Sequence, residues 1–178
     1  AGDYQEGYQY ELIDGELIVS PTPNMPHMVV IRWLSKALEA YTESHPKVIN
    51  FVACPARVFV PDRQDLTAPE PDVAAYHGVP EDLPDEELDW HNFSPLLVAE
   101  VISPDNADKD EVRNVDLYFQ IPSIKEYWLF DPRASSMRPR LTVHRRQARK
   151  WKIMHVAPGE TYMTRLLPGF ELVVDRRK

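Results

Sequence analysis

A single carboxylate, Glu100, stands in an otherwise apolar strand, PLLVAEVISP (residues 95–104). In an extended chain Leu96, Val98 and Ile102 share its face, and Leu97, Ala99 and Val101 occupy the other. A strand apolar on both faces lies centrally in a sheet, and an ionised carboxylate there is costly unless it is paired, protonated or bound to a metal. A second acid, Asp72 in EPD, stands at the mouth of the preceding strand. If the two strands are neighbours, their carboxylates converge and raise each other's pKa, and a divalent cation removes that cost. Hard oxygen ligands suit Mg²⁺ or Mn²⁺, which keep water, accept phosphate oxygens and support hydrolysis of a phosphate ester. The same residues have other readings. Asp72 can cap a turn or strand, Glu100 can pair with Arg57 or His27, and the two can form a metal-free acid/base pair of a small-molecule hydrolase.

The elements that must position these acids are legible as a mixed α/β pattern. YQYELIDGELIVSP (8–21) alternates apolar and polar residues around Asp14-Gly15, a preferred type I′ hairpin turn. NMPHMVVIRWLSKALEAYTES (24–44) is helical, with Pro26 in the first turn and Ile31, Leu34, Leu38 and Tyr41 at helical spacing. VINFVA and ARVFV predict two strands flanking Cys54-Pro55, and PDVAAY predicts another after Pro71. The acidic stretch 77–94 predicts an exposed loop. After the Glu100 strand, Asp108 and Glu111 form a capping-box pattern for a helix burying Val112, Val115 and Phe119 and ending at Pro122. KEYWLFDP then predicts a buried strand parallel to the Glu100 strand, with Tyr127 or Trp128 in the core. LTVHRR, KWKIMHV and FELVV close the chain as antiparallel strands.

The 178 residues, 43% hydrophobic, suit one domain spanning 1–178 with a sizeable core. No apolar run is long enough to cross a membrane, and the single cysteine, Cys54, reads as a small core residue of a protein from a reducing, cytoplasmic compartment. A net charge of −8 argues against coating nucleic acid by bulk electrostatics. The basic run RRQARKWK (145–152) is either a local phosphate-contacting edge or a solvated hairpin tip.

YELIDGELIVSPTPNMPH, PEPDVAAY, LLVAEVISP, EYWLFDP and LLPGFEL follow one another in an order that resembles the Uma2 family of the PD-(D/E)xK nuclease-like superfamily. The resemblance implies a restriction-endonuclease-like core, a central mixed sheet flanked by helices, with β-hairpins at both ends of the chain. It implies a Mg²⁺- or Mn²⁺-dependent endonuclease acting on DNA, with Asp72 and Glu100 holding the metal, and a homodimer as a form in which such folds cut two strands. Glu16 matches a family glutamate and reads as a further acid near the metal or as a solvent-facing hairpin residue. His27 matches a family histidine at the start of the first helix, and Asp110 matches a family aspartate. Two positions depart from the pattern. The superfamily lysine two residues after the acid is Ile102, and the lysine that Uma2 proteins place on the following helix is Asn114. Arg113 is a step of about 100° away on an α-helix, and Lys109 reaches the acids only if the segment before the helix folds toward them. The alternative to an active nuclease is therefore a metal- or nucleic-acid-binding module that lacks turnover because of Asn114.

Overall fold

The computed structural model describes residues 7–103 and 107–178. Pro104, at the end of EVISP, and Asp105 and Asn106, which precede the capping box of the predicted second helix, lie outside the described residues. Strands β1 (Tyr8–Ile13) and β2 (Glu16–Pro21) form the expected hairpin. Asp14 and Gly15 both take positive φ, 51° and 77°, as a type I′ turn requires. Helix α1 (Met25–Ser44) is capped by Asn24, whose Oδ1 accepts the His27 N–H at 3.1 Å. The predicted stripe Ile31, Leu34, Leu38 and Tyr41 is buried.

Strands β3 (Phe51–Ala53), β4 (Val73–Tyr76), β5 (Leu97–Val101), β6 (Glu126–Asp131), β7 (Arg140–Gln147) and β8 (Lys150–Val156) follow. They form one sheet in the order β3-β4-β5-β6-β7-β8. Only the β5–β6 pair is parallel. The connection between these two carries a π-helical turn (Lys109–Arg113) running into helix α2 (Asn114–Phe119). Strands β9 (Thr161–Met163) and β10 (Glu171–Val173) form the C-terminal hairpin. This is the mixed α/β architecture that the sequence pattern implies.

Residue alternation along β5 divides the core in two. Leu97, Ala99 and Val101 face α1, whose Val30, Leu34 and Leu38 cover them together with Trp128 and Phe130. Val98 and Ile102 face α2, packing with Leu117, Tyr118, Tyr127 and Leu129. Glu100 therefore points into the α2 side of the sheet. Tyr127 and Trp128 are both fully buried, as core residues.

Three expectations fail for physical reasons. Residues 56–60 do not form a strand. Ala56, Val58 and Val60 donate to the carbonyls of Pro71, Pro69 and Thr67, but Pro69 and Pro71 have no N–H to return the bond. The second helix does not bury Val112, which is 60% exposed, and Asp108 makes no side-chain cap. Its inward face is Asp110, Asn114, Leu117 and Tyr118. That face begins with polar residues, so an apolar periodicity points to the wrong side. Cys54 is exposed rather than in the core, because the edge strand β3 ends just before it.

The basic β7–β8 hairpin is tied to the body of the protein. The Arg146 guanidinium lies 4.5 Å from the Phe119 ring and donates to the carbonyls of Tyr118, Phe119, Ile121 and Ile124 at the C-terminal end of α2. Trp151 donates its indole N–H to Val115 O at 3.0 Å. Both side chains are engaged in holding α2 against the sheet.

Candidate active site

The antiparallel β4–β5 pair sets Val73 opposite Ala99, which brings Asp72 and Glu100 to the same end of the sheet. The backbone locks them together. Asp72 N–H donates to Glu100 Oε2 at 3.2 Å, and Val101 N–H donates to Asp72 Oδ2 at 2.8 Å. His27, at the start of α1, sets its Nε2 3.0 Å from the same Asp72 Oδ2. Its Nδ1 is buried and has no hydrogen bond among the described residues. From the other side Asn114 Nδ2 and the Tyr118 hydroxyl donate to Glu100 Oε1 at 2.9 and 2.7 Å. Asn114 also lies 3.4 Å from Asp110 Oδ1. Four of the sequence-derived candidates, Asp72, Glu100, His27 and Asn114, thus meet in one network.

Glu16 does not join them. It is exposed at the first position of β2, at the turn of the hairpin, and is not among the residues lining the cavity beside Asp72 and Glu100. The hairpin sends a different acid inward. Glu11 is 3% exposed, accepts the Glu70 N–H at 3.1 Å and pairs with Lys109 at 3.3 Å and Arg113 at 2.8 Å. Its alternation on β1 marks it as facing away from Tyr10 and Leu12, but nothing local distinguishes a site-facing from a solvent-facing polar residue. Neither Arg57 nor His27 is a partner of Glu100: Arg57 pairs with Glu70, and His27 with Asp72.

A cavity of about 100 Å³ opens onto this network. It is lined by Asp72, Glu100, Asp110, His27 and Lys109, and by Gln9, Ser20 and Thr22 of the N-terminal hairpin region. Burial pushes the Glu100 carboxyl well above its ordinary value, and the charges of Asp110 and Asp72 add to the effect against the opposing pull of Lys109. Burial likewise pushes Asp110 up to about 7, again opposed by Lys109 and aided by Asp72 and Glu11. For Lys109 burial works against the charged form, but Glu100, Glu11, Asp110 and Asp72 outweigh it and its pKa is raised. Among the described residues the site is a pool of carboxylates with one ammonium among them.

This imbalance makes stability depend on pH. Asp110 releases its proton near 3.8 in the unfolded chain and near 7 in the fold. Between those values the folded protein binds this proton more tightly, so the contribution of Asp110 to stability is fully present below about pH 4 and is lost as pH rises toward 7. The metal-free protein should lose about 2–4 kcal/mol of this contribution across that window. Denaturant titrations in EDTA from pH 4 to pH 8 read it, and Asp110→Asn should flatten the slope.

Among the described residues no three His, Cys, Asp or Glu side chains form a preset metal cage. Mg²⁺ does not require one, since it is held by one or two carboxylates and keeps several waters. The donor set fits such an ion. Asp72 Oδ1 takes no hydrogen bond from the described residues, the donors are hard oxygens, and the mutual repulsion of the buried acids is what a divalent cation relieves.

The family model for Uma2, described as "Putative restriction endonuclease", matches residues 3–175. The chain belongs to the Uma2 family. A solved structure, a "putative nuclease belonging to DUF820" from Anabaena variabilis, shares the fold with a TM-score of 0.69. That likeness covers 93% of this chain and 87% of the other at 18% sequence identity. No curated protein matches the sequence. Among the described residues of this Uma2 protein no helix is long and apolar enough to cross a membrane.

Proposed function

We propose that this Uma2 protein is a divalent-metal-dependent endonuclease that hydrolyses DNA phosphodiester bonds, with Asp72 and Glu100 holding the ion. One observation supports this most strongly: two carboxylates at adjoining ends of neighbouring strands, tied together by the Asp72 and Val101 N–H groups, line a polar cavity in a chain of this family. When bound, the ion supplies Lewis-acid activation of water and neutralises charge on the phosphoryl group. The chain's own groups do the rest. His27 and the Val101 N–H fix Asp72 Oδ2, leaving Oδ1 as its free ligand atom. Asn114 and Tyr118 fix Glu100 Oε1. Such partners orient ligands and tune their basicity. In the hydrolysis the water oxygen bonds to phosphorus and the bridging P–O bond breaks. Its electron pair goes to the leaving oxygen, and the proton lost by water ends on that oxygen.

The reading places the protein in a reducing cytoplasm, consistent with its single cysteine. It is tested with supercoiled and single-stranded DNA in Mg²⁺ or Mn²⁺. Cleavage should appear with the metal, vanish in EDTA and fall at least a hundredfold in Asp72→Asn. Metal-independent cleavage, or an Asp72→Asn variant as active as wild type, would overturn it. Metal binding without cleavage would favour the module that binds without turnover.

A further inference from the structure

Asn114 leaves the site without a cation at a helix position that touches Glu100, yet the cavity contains one. Among the described residues Lys109 is the only Lys or Arg that lines it, and its side chain is 13% exposed. The backbone explains how it arrives there. Residues Lys109–Arg113 form a π-helical turn, closed by the Asn114 N–H donating to Lys109 O. A hydrogen bond from residue i+5 to residue i stacks those two residues one above the other, whereas α-helical spacing would turn them apart. The wider turn therefore brings Lys109 closer to the face of Asn114 than 100° per residue would, and Lys109 lines the cavity with Asp72, Glu100 and Asp110.

Its salt-bridge partner does not consume its charge. Glu11 Oε1 lies 3.3 Å from Lys109 Nζ, but Glu11 Oε2 accepts from Arg113 at 2.8 Å. Arg113 does not line the cavity. Glu11 is thus shared between Arg113 and Lys109, and of the two cations Lys109 is the one in the cavity lining, beside Asp72, Glu100 and Asp110.

We propose that Lys109 is a catalytic residue, the cation that contacts a non-bridging phosphate oxygen and stabilises the charge that develops there. In this role it replaces the missing lysine of position 114, and Glu11 and Arg113 hold it in place. The proposal rests on the nuclease reading above and extends it to the residue on which turnover depends. An ammonium aimed at developing negative charge in a partly dry site is worth about a hundredfold to a thousandfold in rate.

The test compares wild type, Lys109→Gln, Lys109→Arg and the double variant Lys109→Gln/Asn114→Lys in DNA cleavage and in Mn²⁺ binding. Lys109→Gln should lower kcat at least a hundredfold while retaining Mn²⁺ binding, which also shows that the variant is folded. Lys109→Arg should keep part of the activity, and Asn114→Lys should restore much of it, because position 114 lies within 2.9 Å of Glu100. Lys109→Gln cleaving within threefold of wild type would overturn the proposal. So would a loss of cleavage matched by an equal loss of Mn²⁺ binding, which would mark a structural role. Wild type that binds Mn²⁺ but does not cleave would overturn the role of Lys109 and leave the metal site standing. Wild type that does neither would remove both.

Discussion

Glu100→Gln should abolish cleavage and at the same time make the metal-free protein more stable. The two effects have one cause. Glu100 is 1% exposed, and none of its direct hydrogen-bond partners among the described residues, Asp72 N–H, Asn114 and Tyr118, carries a charge. Its charged form is therefore held in the fold at a desolvation cost, which is why burial raises its pKa. Glutamine keeps the shape and an acceptor for Asn114 and Tyr118. It places an amide against the Asp72 N–H, forfeiting one hydrogen bond worth about 1 kcal/mol. Replacing an ill-compensated buried charge by a neutral isostere gains more than that, a net of about 1–3 kcal/mol at pH 8. For a chain of this length the gain raises Tm by roughly 2–10 °C. Thermal melts in EDTA read the gain, and cleavage assays in Mg²⁺ read a loss of at least a hundredfold. A variant less stable than wild type at pH 8 would show Glu100 to be a structural acid.

The contrasting expectation concerns Glu126, which is just as buried. Four donors converge on its two oxygens: Arg145 at 2.7 Å, Thr164 at 2.6 Å, Tyr162 at 2.9 Å and the Trp128 indole at 2.8 Å. This carboxylate joins β6 to β7 and to the C-terminal hairpin region, and it has a cation of its own. Glu126→Gln turns an amide donor toward two of these donors and leaves the Arg145 guanidinium without its counter-charge. Breaking such a pair costs about 3 kcal/mol, allowing for the partial exposure of Arg145. Tm should fall by roughly 6–12 °C, with kcat per folded molecule unchanged. Two glutamates equal in type and burial are thus expected to shift stability in opposite directions, and the sign separates the acid kept for chemistry from the acid kept for the fold.

Asp72 and Glu100 were legible in the sequence because each breaks a local rule: Glu100 interrupts an apolar strand, and Asp72 stands where a strand begins. The neighbouring strands supplied the rest. Glu11 was not legible, since a polar residue in an alternating hairpin looks the same whether it faces water or a cavity; the hairpin's other glutamate, Glu16, faces solvent. Lys109 was legible only as a condition on how its segment folds. An α-helical period places it off the site, and the π-helical turn that brings it round has no signature in the residue pattern. Tyr118 lies off the stripe Val112, Val115 and Phe119, so the pattern does not single it out; it is buried, and its hydroxyl donates to Glu100. The loss of the strand at 56–60 was written in Pro69 and Pro71, far along the chain from the residues that read as a strand.

The most direct test of the central claim is Mn²⁺ binding at pH 8, followed by calorimetry or electron spin resonance on wild type, Asp72→Asn and Glu100→Gln. The account predicts one Mn²⁺ bound by the wild type and affinity reduced at least tenfold in each variant. Wild type that fails to bind at millimolar Mn²⁺, or two variants that bind as tightly as wild type, would contradict it.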